Sequence, residues 1–346
     1  MARPSWKTWT LAAIKGIVAI VVLWAVGRHV LHTWNDLRRQ GVSLHFEPGW
    51  LVASGVLYLA GLAAYGRFYE RILHASPTPV RLGPALRAYV ISHLGKYVPG
   101  KAMVVVVRAG LVVQHGARAS TAAIATFYET LVMMAAGGIV AAVGFATAAG
   151  SQRVDLKLPG WGQIQLPFYK MVALAGLVLG LGFFVLVVPP VFGRLARLVS
   201  LPIPGVGPEA LPRLTAGLLF RGLLWSAAGW ILLGFSQLAV VRAFDRPGAF
   251  QLLELGLGPV VIAGVALATV AGFVVAVLPG GLGVREGVLM SVLAPALGTE
   301  ASVIAALALR LVWVVAELAA GALLIAWPRP KMTALDSPLE TGQSAS

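Results

Sequence analysis

Two stretches of the sequence set a Pro-Gly break into apolar surroundings and place cations beside it. The first runs Leu94-Gly95-Lys96-Tyr97-Val98-Pro99-Gly100-Lys101 and reaches Arg108; the second runs Leu278-Pro279-Gly280-Gly281-Leu282-Gly283-Val284-Arg285-Glu286-Gly287. Proline has no amide hydrogen and clashes with the carbonyl four residues back, so each break ends or kinks a helix and frees backbone polar groups. Inside a bilayer such backbone is tolerated only where it is buried in protein or lines a cavity. Helices starting just past the breaks would add positive dipole ends that suit a phosphate. Lys101 and Arg108 lie about two helical turns apart and can share a face. The glycines at 280, 281, 283 and 287 exceed the needs of a turn and point to close approach by a helix or ligand. They lack the spacing of a dinucleotide fingerprint, and no Gly-Lys-Ser/Thr follows them. Blander readings stand beside these. Lys96 and Lys101 would snorkel from a kinked interfacial helix, and Arg285 and Glu286 would satisfy each other in a tight turn.

Glu129 and Arg310 are the deepest charges, each about ten residues or roughly 15 Å into an apolar run. That is near the bilayer midplane, where a charge is expensive and faces a partner inside the bundle. Pairing Glu129 with Arg310 is the simplest neutral arrangement, and Glu317 shares a helix face with Arg310. Two roles stay open for such a pair: a structural link that fixes packing, or a site in which Glu129 titrates protons or balances a ligand. The six histidines include no His-Glu-x-x-His, so no metal site is expected. His93 and Tyr97 form an i, i+4 pair beside the first break. Ser92 and Ser226 have no visible His/Asp company. Without cysteine, disulfide and thiolate chemistry are excluded. No catalytic residue, no cofactor and no enzymatic activity are expected.

The elements that must hold these residues are membrane spans. The 346 residues are 58% hydrophobic and 12% charged, against about a quarter charged in soluble domains, and the mean hydropathy is +0.85. Apolar runs near 11–31, 50–70, 119–148, 170–192, 217–243, 258–279 and 300–327 read as spans, while 84–113 and 282–298 are apolar but interrupted. The expectation is an all-α polytopic membrane protein of about 7–8 transmembrane helices with one or two re-entrant or broken helices and a possible inverted repeat. Residues 1–330 form one integral membrane domain in this reading, and 331–346 a disordered tail. The alternating stretch at 149–169 predicts a small extracytoplasmic hairpin or an interfacial segment. Ser200 to Pro212, with prolines at 202, 204, 208 and 212, reads as a rigid connector. The tryptophans read as interfacial anchors.

The net charge of +14 fits basic loops facing anionic lipid headgroups. No basic helix or zinc finger points to nucleic acid. Arg71, Arg81, Arg87, Arg118, Arg194, Arg213 and Arg221 would lie on the cytoplasmic side, with Arg28, Arg38, Arg39, Arg153, Lys157, Lys170, Arg242 and Arg246 outside. Both termini are then cytoplasmic, the run 11–31 is an uncleaved first span, and the protein sits in the inner membrane.

The stretch from Leu94 to Lys101, then Arg108-Ala109, Glu129 in the next span, and later Leu278 to Gly287, resembles the lysylphosphatidylglycerol synthase transmembrane-domain family over roughly Trp50 to Trp327. The resemblance implies the flippase-like membrane portion of the aminoacyl-phospholipid synthases, in a free-standing form without the soluble synthase domain. It implies a lipid moved between leaflets, drawn from anionic, aminoacylated or sugar-linked lipids of polyprenyl or hopanoid type. It puts functional weight on Lys96, Pro99, Gly100, Lys101, Arg108, Glu129, Gly281, Gly283, Arg285 and Glu286. The residue-based reading adds Gly280 and Arg310. Lys96, Lys101, Arg108 and Arg285 would attract a phosphate, with Glu129 and Glu286 balancing charge, binding a headgroup amine or coupling to protons. The alternatives are a non-transporting partner of a lipid-modifying enzyme and a membrane-embedded headgroup transferase; a homo-oligomer is compatible with each.

Overall fold

A computed structural model of the protein describes residues 47–97, 102–148, 153–158, 162–200, 212–244, 256–275 and 283–327. The expected span 11–31, the turns holding Pro99, Gly100, Lys101, Gly280 and Gly281, most of the Ser200–Pro212 connector and the tail from Lys331 lie outside the described residues.

Among the described residues five helices are long and apolar enough to cross a membrane. They are α1 (Pro48–His74), α4 (Ala119–Ala146), α5 (Phe168–Val187), α7 (Ala216–Ala243) and α10 (Thr299–Ala326). All match expected spans closely, except that 170–192 is cut short. Pro189 and Pro190 cannot donate to the preceding turn, so α5 stops at Val187 and the prolines open a separate helix, α6 (Pro189–Ser200). Between α4 and α5 the expected hairpin forms from β1 (Arg153–Leu158) and β2 (Gly162–Pro167), antiparallel with Arg153 opposite Pro167.

Two shorter pairs of helices fold back on themselves. In the first, α2 (Leu82–His93) leads through a 3-10 turn at Leu94–Tyr97 and returns as α3 (Ala102–Val113). Gly95 makes the turn tight: a Cβ there would lie 2.8 Å from the backbone nitrogen of Val104 on the returning limb. Gly66 of α1 packs on Tyr89, and Lys96 reaches the Tyr58 hydroxyl, so the hairpin tip sits about halfway along α1. In the second pair, α8 (Gly258–Val274) and α9 (Val284–Leu297) pack together, and Gly283 at the start of α9 takes φ +84°. Gly144 of α4 packs on Pro259 and Gly137 on Val270, so α8 descends beside α4 and ends near the level of Glu129. The expected span 258–279 and the interrupted segment 282–298 are therefore two limbs of one re-entrant hairpin, which corrects the crossing expected for 258–279. At 17 and 14 residues the limbs reach only about 26 and 21 Å, short of the roughly 30 Å hydrocarbon core. Pro295 does not end α9, which continues to Leu297.

The chain thus repeats one unit: a long helix, a re-entrant hairpin and a second long helix. Repeat one is α1, α2–α3 and α4; repeat two is α7, α8–α9 and α10. Among the described residues each principal helix–helix contact in or between the repeats has a counterpart. Thus α1 on α4 mirrors α7 on α10, α1 on α10 mirrors α7 on α4, and α2 on α10 mirrors α8 on α4. The axis passes between α1 and α7, which cross antiparallel. A Cβ on Gly61 would meet Leu233, and one on Gly229 would meet Tyr65; Ser54 hydrogen-bonds Ser236 at 2.8 Å, and Gly222 lies against Phe68. A single constant shift in numbering carries Gly61 onto Gly229, Tyr65 onto Leu233, Ser54 onto Gly222 and Phe68 onto Ser236. Antiparallel partners related in this way make the repeat inverted, with its axis in the membrane plane.

Candidate functional site

The two hairpin tips meet at mid-depth around a stacked aromatic pair. Tyr58 of α1 and Trp313 of α10 stack with ring centroids 4.3 Å apart. Trp313 is fixed by donating its indole N–H to Ser236 Oγ at 2.9 Å, and Ser236 bonds Ser54 across the repeat axis. Lys96, from the first tip, lies against the Tyr58 hydroxyl at 3.4 Å. Arg285, from the second tip, lays its guanidinium over the Trp313 ring at 4.2 Å, a cation–π contact that strengthens as water is excluded.

Around this junction is a cavity of about 310 Å³, lined among others by Lys96, Arg108, Glu129, Thr130, Thr269 and Arg285. It therefore draws cations from both hairpins and a carboxylate from α4. Phe127 also lines it while its side chain is largely exposed on the outer face of α4. At that depth a bilayer would present hydrocarbon to this face.

Two of the three cations are matched by carboxylates. Arg108 is buried and donates to Glu129 Oε2 at 3.0 Å and to Ser92 Oγ at 2.9 Å. Its guanidinium also lies 4.0 Å from the Tyr89 ring centroid, while Tyr89 donates to the other Glu129 oxygen at 3.0 Å. Lys96 pairs with Glu317, which also accepts from Tyr58 and, at 2.8 Å, from Tyr97; His93 Nε2 lies 3.8 Å away. Arg285 differs: among the described residues no carboxylate lies within ion-pair distance of it, and its one close partner is an aromatic face.

The expected Glu129–Arg310 pair does not form. Glu129 takes Arg108, and Arg310 takes Glu286 at 2.6 Å. Depth along the helices placed both charges at the midplane but did not fix which way each points around its helix. Nor do Arg285 and Glu286 satisfy each other, because Glu286 bridges Arg310 and the backbone N–H of Gly283 at 2.7 Å, closing the start of α9. In both repeats an ion pair links the returning limb of the hairpin to the long helix that follows, with signs reversed. In one the hairpin carries the arginine, and in the other the glutamate.

Of the expected site residues, Lys96, Arg108, Glu129 and Arg285 line the cavity. Gly283, Glu286 and Arg310 support the second tip beside it. Pro99, Gly100, Lys101, Gly280 and Gly281 are outside the described residues. Glu317 was visible in the sequence only as a neighbour of Arg310, although its charge in an apolar run was a signal of equal strength. Trp230 and Trp313 are not interfacial anchors but buried mid-span rings; Trp230 donates to the Met133 carbonyl at 2.9 Å. Their positions far from the span ends were the available clue.

Since Glu317 holds Lys96 and two phenols together, Tyr58→Phe should lower stability by about 1–2 kcal/mol. Chemical unfolding in detergent would measure this, and an unchanged midpoint would contradict the role given to the hydroxyl.

Neither the curated proteins nor the solved structures include a match to this chain. Residues 12–321 match the family model described as Lysylphosphatidylglycerol synthase TM region, and they contain both hairpins and the cavity. The chain belongs to that family of lipid-related integral membrane domains.

Proposed function

We propose that the protein moves an anionic, aminoacylated or sugar-linked lipid between leaflets, holding the headgroup at mid-depth while the acyl chains stay in the bilayer. The observation that carries this reading is Arg285, a cavity-lining cation with no carboxylate partner among the described residues. Lys96 and Arg108 are balanced by Glu317 and Glu129, so the described residues around the cavity carry one positive charge in excess. A phosphodiester supplies one negative charge. An opening on the side of Phe127 would give acyl chains a path that never leaves hydrocarbon. Glu129 and Glu317 offer acceptors for a headgroup amine or hydroxyls once their arginine and lysine swing to the phosphate. Arg71, Arg213 and Arg221 cluster where α1 ends and α7 begins, which supports a cytoplasmic orientation for that face, and with it an inner-membrane location, by the positive-inside rule.

The test is leaflet exchange of labelled phosphatidylglycerol, its aminoacyl forms and glycolipids in proteoliposomes. Wild-type protein should exceed protein-free vesicles for at least one of them. Arg285→Gln should cut that rate by about tenfold or more, as expected when a charged hydrogen bond to the ligand is lost, with an unchanged melting profile. No exchange across the whole panel would end this reading.

A further inference from the structure

A second cationic site lies at the end of the bundle, well away from the mid-depth cavity. Arg71, on α1, is thirteen residues beyond Tyr58, or about 20 Å along the helix. A cleft of about 670 Å³ opens there, lined by Arg71, His74, Arg213, Thr215, Gly217 and Arg221 together with small neighbours. Among the described residues no acidic side chain lines it. Glu70, one residue from Arg71, is buried and engaged by Arg67 at 2.9 Å, leaving Arg71 at 3.8 Å.

The cleft is framed by hydrogen bonds and is not a loose surface. The backbone N–H of Arg213 donates to the Ala75 carbonyl at 3.1 Å, tying the approach to α7 onto the end of α1. Ser76 closes the same corner by donating to the Leu73 carbonyl at 2.5 Å. Arg71 and His74 have an ordinary explanation, since cations favour the C-terminal end of a helix such as α1. Arg213 and Arg221 have the opposite problem. They flank the N-terminal turns of α7, the positive end of a 28-residue helix whose first turn holds no acidic residue. Thr215 caps only the Leu218 N–H, at 3.1 Å. Among the described residues only Arg71 has a carboxylate within ion-pair distance, Glu70 at 3.8 Å, so the guanidinium groups gathered at this positive dipole end favour an anion between them.

We propose that this cleft binds a phosphate-bearing anion at the membrane surface, with Arg71, Arg213 and Arg221 as its ligands. The proposal is independent of the transport reading, because none of these residues lines the mid-depth cavity. The ligand chemistry is a phosphate group with at least one free negative oxygen, from either an anionic phospholipid headgroup or a soluble phosphate.

The experiment uses the full chain in phosphatidylcholine nanodiscs, with and without a minor fraction of phosphatidylglycerol. Native mass spectrometry would read retained phosphatidylglycerol, and calorimetry would read binding of inorganic pyrophosphate. The wild type should retain phosphatidylglycerol or bind pyrophosphate saturably, and R71Q/R213Q/R221Q should weaken that binding by about tenfold or more. R221Q alone, a milder change at an exposed site, should weaken it in the same direction if the triple variant folds poorly. R194Q/R197Q on α6 should bind as the wild type does. Retained lipid that pyrophosphate does not displace would identify a headgroup site; pyrophosphate binding without lipid enrichment would identify a soluble anion. The proposal is overturned if the wild type binds neither probe, or if R71Q/R213Q/R221Q binds as tightly as wild type, or if R194Q/R197Q weakens binding equally.

Discussion

Glu129→Leu is expected to destabilise the protein by about 3–5 kcal/mol, the usual result of stranding one member of a buried ion pair. Arg108 is only 2% exposed, and Glu129 is its sole carboxylate within ion-pair distance among the described residues. Removing the carboxylate leaves a guanidinium between Tyr69 and Tyr89 with Ser92 as its remaining hydrogen-bond partner. It also takes the acceptor from the Tyr89 hydroxyl. The double variant Arg108→Met/Glu129→Leu should recover much of the loss, because two desolvated charges then disappear together. A double-mutant cycle on unfolding free energies reads the difference as coupling. The same cycle between Glu129 and Arg310 should give coupling within about 0.5 kcal/mol of zero, as for residues without shared partners. Strong coupling there, or none between Glu129 and Arg108, would refute the pairing. Glu286–Arg310 is looser, each side chain being 12% exposed, so Glu286→Leu should cost less than Glu129→Leu.

Gly138→Leu should do comparable damage by a steric route. A Cβ on Gly138 would lie 2.4 Å from both the Cα and the nitrogen of Gly180 on α5, and one on Gly176 would lie 3.0 Å from the Ala142 nitrogen. Here α4 and α5 touch backbone to backbone through small residues four apart, the arrangement that lets apolar helices associate in lipid. Ordinary overpacking costs about 1–3 kcal/mol because side chains can move aside. At Gly138 the obstacle is main chain, so α5 must leave α4 and the loss should reach or exceed the top of that range. Gly182→Leu, on α5 with nothing within 4 Å, should stay within about 0.5 kcal/mol of wild type. Equal stability of the two variants would show that the close approach does not exist.

The long spans were legible because hydropathy over twenty or more residues has few structural solutions, and α1, α4, α7 and α10 lie within a few residues of their expected bounds. The Pro-Gly breaks also located both hairpins, since only irregular backbone tolerates them. What depended on rotation about a helix axis was not legible. Arg108 meets Glu129 21 residues on, and Glu286 meets Arg310 24 residues on. In both cases the returning limb of a hairpin faces the long helix that follows, a short-range rule that midplane depth alone could not reveal. The inverted repeat was suggested by the paired breaks but hidden at the residue level. Its two copies keep Gly61 and Gly229 yet put Tyr65 where the other has Leu233, and reverse the signs of the ion pairs between hairpin and following helix. Tyr58 and Trp313 left little trace, because aromatic residues inside an apolar run look like any other core.

The inverted repeat sets a rule of parity on the connection between its halves. The first unit begins and ends at one face of the membrane, and the second begins and ends at the other. The linking chain must therefore traverse the bilayer an odd number of times. Helix α5 is that single traverse, and only 22% of its most apolar window is buried in the protein, the least of the five long helices. Beyond its close packing on α4, it thus sets the parity of the chain. Deleting α5, or adding a second such traverse, would turn α7 to α10 upside down in the membrane and open both hairpins to the same side.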